Sequence, residues 1–264
     1  MSLHSRIGNL RRRDTIAMCW SFSVSTAMVI TGATTTVYAA RKGQPAAIYL
    51  TVGYFTVMEA LQAAGYLVVN ACGSPANQVL TLLSVLHIAF QPFFVNAFAM
   101  ELIPREVRRR IRLVVYGLCF ASVIFMLIQL YPLDWAVPCR IGQYLCGTEL
   151  CLRSGEWHIA WDIPYNDFTI PLDDATGVNW SFPSYILVVF VLPALYGAWR
   201  FAVFHALAGP FLATLLTKDP GEIPAIWCFF ALIIILLALV PRLRRWFYVR
   251  DWWLWPASWN AARI

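Results

Sequence analysis

Apolar residues in this 264-residue chain come in long runs, separated by short breaks rich in charge, proline or glycine. Runs of about 17 to 25 residues match what an α-helix needs to cross roughly 30 Å of hydrocarbon at 1.5 Å per residue. A backbone in lipid must satisfy its own amides, and these runs lack the alternation of a membrane barrel, which leaves helices. Composition agrees: 60% of the residues are hydrophobic and only 13% are charged, against about a quarter charged in soluble domains. The sequence therefore predicts an all-α membrane protein, a single bundle of seven helices with one long polar loop.

The predicted spans are Thr15 to Ala40, Ala46 to Val69, Gln78 to Met100, Arg112 to Leu130, Ser184 to Ala198, Phe201 to Leu216, and Ile223 to Val240. Ser184 to Leu216 is one apolar run, and it reads either as two short spans turning near Gly197, Trp199 and Arg200 or as one long helix. Charge decides between them. With two spans, thirteen of the twenty basic residues, among them Arg105, Arg108, Arg109, Arg110 and Arg112, share one face and seven the other. With one helix the split becomes eight and eleven. The positive-inside rule favours seven spans with the amino end exterior and the carboxyl end cytoplasmic. Arg11, Arg12 and Arg13 dissent, because this topology leaves them outside. They could instead open a signal peptide ending near Val37-Tyr38-Ala39, a reading ranked below an ordinary first helix because it exports the stronger arginine cluster. The expected home is a bacterial inner membrane, or a plasma or internal membrane in a eukaryote. The net charge of +6 gathers at span ends, so it reads as headgroup contact with the lipid bilayer and gives no reason to expect nucleic acid.

Residues 132–183 form the exterior loop, with seven acidic side chains against Arg140 and Arg153. Glu156 to Asp162 alternates in polarity and Pro164 to Asp167 supplies turn residues, so a small β-hairpin capping the bundle is expected. Cys72, Cys139, Cys146 and Cys151 all fall on the exterior side, an even number in an oxidising compartment. Two disulfides are predicted, with the pairing open; zinc is disfavoured because no CxxC spacing occurs. Asn179-Trp180-Ser181 fits a glycosylation acceptor. After the last span, residues 242–264 mix tryptophans with arginines, which suits an interfacial anchor more than a tail that docks a partner.

Charged groups at mid-bilayer are costly and each needs a reason. Glu59 and Gln62 lie one turn apart in the second span, His87 and Gln91 one turn apart in the third, and a short connection makes these helices antiparallel neighbours. The four residues are therefore the first candidate site, a proton relay, cation site or acid/base pair weighed against simple helix-to-helix glue. Asn96, Arg200 and His205 are secondary candidates, the last two in Gly/Pro-broken segments of the kind that expose backbone groups to ligands.

Several chemistries are unsupported. A retinal Schiff base needs a lysine in the last span, and Ile223 to Val240 has none; no other cofactor is expected. The four histidines, His4, His87, His158 and His205, lie at scattered depths, so no metal site is expected. Neither a phosphate loop with its lysine nor a GxSxG elbow is present.

Met58-Glu59-Ala60-Leu61-Gln62, then Leu86-His87-Ile88-Ala89-Phe90-Gln91-Pro92 and Pro224-Ala225-Ile226-Trp227-Cys228, resemble an uncharacterised family of polytopic membrane proteins across most of the spans. The resemblance implies that the Glu/Gln and His/Gln faces are characteristic features, and it transfers no activity. The function expected is a transporter or binding protein for a small molecule, lipid or ion, rather than an enzyme. The alternatives are a sensor or accessory subunit meeting a protein partner through the acidic loop, and a lipid-modifying enzyme using Glu59 and His87.

Overall fold

The structure, a computed structural model, describes residues 20–178, 180–231, 233–256 and 259. Four long helices come first: α1 (Phe22–Arg41), α2 (Ala46–Tyr66), α3 (Pro75–Met100) and α4 (Arg105–Leu130). An antiparallel hairpin, β1 (Cys151–Ser154) and β2 (Ile159–Asp162), and the short helix α5 (Ile170–Thr176) form a cap. The chain then re-enters the bundle as α6 (Pro183–Leu195) and α7 (Trp199–Leu216). Helices α8 (Ile223–Ala231) and α9 (Ile233–Leu239) flank residue 232, and α10 (Pro241–Phe247) leads into the tail.

Local chemistry sets the starts. Ser21 accepts the Val24 amide at 3.4 Å to cap α1, and Pro45 and Pro104 stand immediately before α2 and α4, where a fixed φ and a missing N–H cost little. Helices α1, α2, α3 and α4 pack each against the next; α6 lies on α3 and α4, and α8 and α9 close against α2.

Successive helix ends alternate between two poles. At the cap pole, Trp20 donates to the Trp157 carbonyl, Asn70 to Leu152 and Trp161 to Gly221, each at 3.0 Å. At the opposite pole, Val249 donates to the Leu102 carbonyl at 2.9 Å and Arg244 to Gln44 Oε1 at 3.0 Å.

Among the described residues three helices, α3, α4 and α7, are long and apolar enough to cross a membrane. Helices α1 and α2 reach 20 and 21 residues, but eight Ser, Thr and Gly residues in one and Glu59 with Gln62 in the other lower their apolarity. Helix α6 is apolar but short. The seven spans expected from sequence thus reduce, on length and composition, to three.

Other expectations change in detail. The run from Ser184 to Leu216 does break in two, at Gly197, whose φ of +107° glycine adopts freely. A Cβ there would also lie 2.5 Å from the Trp255 ring. Arg105 to Arg112 form the first two turns of α4 and do not flank it, because Pro104 starts the helix seven residues before the expected Arg112. The hairpin turns at Gly155–His158, and Pro164 to Asp167 follow its second strand. The basic triplet, His4, Cys19, the glycosylation residue Asn179 and the last residues of the tail lie outside the described residues. Both disulfides are present: Cys72–Cys151 ties β1 to the turn before α3, and Cys139–Cys146 closes a small loop in the cap.

Candidate functional site

The four polar residues picked from α2 and α3 are all buried, and no hydrogen bond joins any two of them among the described residues. His87 Nε2 donates to the Tyr54 carbonyl at 2.8 Å, the Tyr54 hydroxyl donates to the His87 carbonyl at 2.5 Å, and the rings stack at 3.8 Å. Tyr54 and Glu59 stand five residues apart on α2, about 140° around its axis, so the helix turns Glu59 away from the histidine. Glu59 and Gln62 are fully enclosed, and no polar atom of either side chain has a hydrogen-bond partner among the described residues.

Gln91 faces elsewhere. Its Oε1 accepts from the Tyr185 hydroxyl at 2.8 Å, and this pair sits in the wall of an apolar cavity of about 290 Å³. The cavity lies between α3, α4, α6, α7 and α8 beneath the cap, walled by Ile88, Met126, Phe190, Pro210 and Trp227. Trp227 Nε1 donates to His205 Nε2 at 3.1 Å, so a second polar pair reaches back from this wall, with Trp227 in it and His205 behind, and Phe190 packs against both rings. Few polar groups in a mostly apolar wall are the usual make-up of a small-molecule pocket, and 290 Å³ is at the small end of that class.

Asn96 and Arg200 have structural work. Helix α6 contains a π turn at Leu187–Val191 followed by Pro193, which has no N–H to donate. Asn96 Nδ2 donates to the buried Val188 carbonyl at 2.8 Å and to Pro92 at 2.9 Å, while its Oδ1 accepts from Tyr196 at 3.0 Å. Arg200 donates to the Trp246 carbonyl at 2.9 Å and so holds the tail. The tail itself docks: Trp252 and Trp255 donate to the carbonyls of Leu195 and Tyr196 at 3.0 Å, leaving Trp246 and Trp253 exposed.

Sequence reading missed the polar residues that build the cap. Glu222, fully buried, accepts from the amides of Glu156, Trp157 and His158 and from the Thr217 hydroxyl, and so holds the hairpin turn. Asn77 donates to the Val68 and Leu152 carbonyls and accepts the Leu152 amide, fastening α3 to β1 beside the disulfide. Arg153 clasps Asp219 with two bonds and Asp162 with a third. The bonds to Asp219 raise the Arg153 pKa. Burial alone would raise the Asp219 carboxyl, but Arg153 holds it below its ordinary value. His158 Nδ1 accepts the Ile159 amide at 2.7 Å and meets the Tyr66 hydroxyl at 3.0 Å, and burial lowers its pKa to about 3. The Asp219-Pro220-Gly221-Glu222 turn was a readable signal for a loop; its partners, more than sixty residues away, were not.

These features place the chain among proteins with a helical bundle, a disulfide-pinned cap and helices suited to a membrane. It belongs to a family of unknown function, DUF5765, whose pattern matches residues 23–248. No curated protein matches it. No solved structure matches it either.

Proposed function

We propose that the chain is a multi-pass membrane protein that binds, and passes across or along the bilayer, a small apolar or lipid-like molecule held in the cavity between α3, α6, α7 and α8. The observation that carries this reading is the apolar cavity of about 290 Å³, whose wall includes the Gln91–Tyr185 pair. An alkyl chain would fill the apolar part and a single hydroxyl or carboxyl would meet Gln91 or Tyr185.

Support for seven crossings comes from surface chemistry. Large apolar side chains stand exposed on α1 (Ile30), α2 (Val57), α3 (Leu83), α4 (Leu113, Phe120), α6 (Leu187), α7 (Leu207) and α9 (Leu236), a belt that water would penalise and lipid would accept. The alternation of helix ends, with the acidic cap at one pole and the arginines at the other, supports an exterior cap. Epitope tags at the two ends test it: the amino-terminal tag is reached in intact cells and the carboxyl-terminal tag only after permeabilisation, and the reverse would contradict the topology.

Filling the cavity tests the binding reading. Native mass spectrometry of the full chain with added decanol should show a single bound alcohol, lost in Ala206→Trp, since Ala206 lines the cavity. Equal binding by both proteins, with both folded, contradicts it. A second reading, favoured by the unpartnered Glu59 and Gln62, is that the same protein moves a proton or cation with its ligand; Glu59→Gln would then abolish flux and leave ligand binding intact.

A further inference from the structure

The start of α4 is electrostatically out of balance. A helix amino terminus carries partial positive charge and favours anions, yet Arg105, Arg108, Arg109, Arg110 and Arg112 fill its first two turns. Four of their spacings, 105/108, 105/109, 108/112 and 109/112, are those at which like charges on a helix repel. Two carboxylates answer them: Glu101 pairs with Arg108, and Glu106 with Arg109 at 3.4 Å on an exposed face. Arg105 and Arg112 have no ion pair among the described residues.

Four of these arginines converge. Arg105, Arg108, Arg109 and Arg112 line a cavity of about 350 Å³, with Tyr116 and Glu101, between α4, the end of α3 and the start of α2. Arg110 is not in its wall. Ala47, Ala97 and Met100 supply an apolar side. Immediately past Arg112, Leu113 and Val114 are 77% and 65% exposed, so the cavity opens where charged surface gives way to apolar surface. The site lies about nine residues, or roughly 14 Å, along α3 from Gln91, distinct from the cavity described above.

We infer that this pocket binds a phosphate group, with its oxygens on Arg105 and Arg112 and the glycerol side of an anionic phospholipid along Ala97 and Met100. Guanidinium forks match phosphate geometry, and an anion there offsets the repulsion and the helix dipole together. A headgroup is the source that fits the cavity's position beside Leu113, and that choice rests on the membrane reading; the phosphate chemistry does not.

The test uses the full-length protein in nanodiscs of phosphatidylcholine alone or with phosphatidylglycerol, and in neutral detergent with inorganic phosphate, read by native mass spectrometry and thermal melting. We expect one retained phosphatidylglycerol in preference to phosphatidylcholine and a raised melting temperature. Arg105→Gln with Arg112→Gln should lower retention by at least about tenfold, since each lost charge-assisted bond is worth about 1.5–3 kcal/mol, while Arg110→Gln leaves it unchanged. In phosphatidylcholine alone the double variant should melt no lower than the wild type, because only repulsion has been removed. Should the double variant fail to fold, Arg105→Lys with Arg112→Lys keeps the charge and should show reduced retention. Competition by inorganic phosphate supports the phosphate contact, and binding of phosphate without phosphatidylglycerol keeps the site but assigns it to a soluble ligand. Equal retention of both lipids with no phosphate binding, or an equal loss in Arg110→Gln, would overturn the inference.

Discussion

The cap and the helical bundle both bury polar side chains, and they treat them in opposite ways. In the cap, Glu222 accepts from three amides and a hydroxyl, Asn77 makes three backbone bonds and Arg153 reaches two carboxylates. In the bundle, Glu59 and Gln62 are enclosed just as completely and bond to nothing among the described residues. Satisfied buried groups rigidify a structure, whereas an unsatisfied one costs free energy that something else must offset. The difference teaches that the acidic cap residues most easily taken for a recognition surface include a structural clasp, and that the bundle leaves its buried Glu59 and Gln62 without a bond among the described residues.

Substitutions can break that comparison. Glu222→Ala should have the largest effect, a loss on the order of 4 kcal/mol, because it leaves three amides without an acceptor and takes the nearer of two acceptors from the Thr217 hydroxyl; a thermal melt in detergent measures it. Replacing Cys72 and Cys151 by serine frees a loop of 79 residues and should cost about 2–4 kcal/mol. The same melt, made with reductant on the wild type, opens Cys139–Cys146 as well and should shift at least as far.

Acid should loosen the cap next. His158 takes up a proton near pH 6.5 in the unfolded chain but only near about 3 in the fold, because burial disfavours the charged ring. The unfolded chain therefore binds more protons between those values, so stability is complete above about pH 6.5 and declines as pH falls toward 3. His158→Gln should flatten that part of the profile. Gly197→Ala should cost about 1–3 kcal/mol through its positive φ and its approach to Trp255. The smallest effect is the sharpest contrast: Glu59→Gln should leave stability within about 0.5 kcal/mol of wild type or raise it, since the side chains are of similar size and no hydrogen bond among the described residues is lost. A loss as large as that of Glu222→Ala would erase the distinction between the two regions.

Much of the helical frame was legible. Apolar runs located every long helix, the split of basic residues between the two faces pointed to the break near Gly197, and four cysteines outside the apolar runs implied two disulfides. Burial of Glu59, Gln62, His87 and Gln91 was also readable, because polar residues inside apolar runs have nowhere else to go. Their partners were not. Whether His87 meets Glu59 or Tyr54 depends on the rotation of α2 about its axis, which no local pattern in the chain records. The cavity escaped notice for the same reason: its walls come from α3, α4, the cap, α6, α7 and α8, and each contributes residues that look like ordinary core. Glu222 sits in a short polar connection and Asn77 in the first turn of α3, and the cap residues they hold lie 64 to 75 positions away.

The measurement that bears most directly on the apolar cavity is photolabelling in lipid vesicles with an alkyl alcohol carrying a diazirine, followed by peptide mapping. Binding in the cavity predicts label concentrated on Tyr185 to Phe190 and on Pro210 to Trp227, and its loss in Ala206→Trp. Label spread over the outward faces of α4 and α7, around Leu113, Val114 and Val203, and unchanged in that variant, would contradict it.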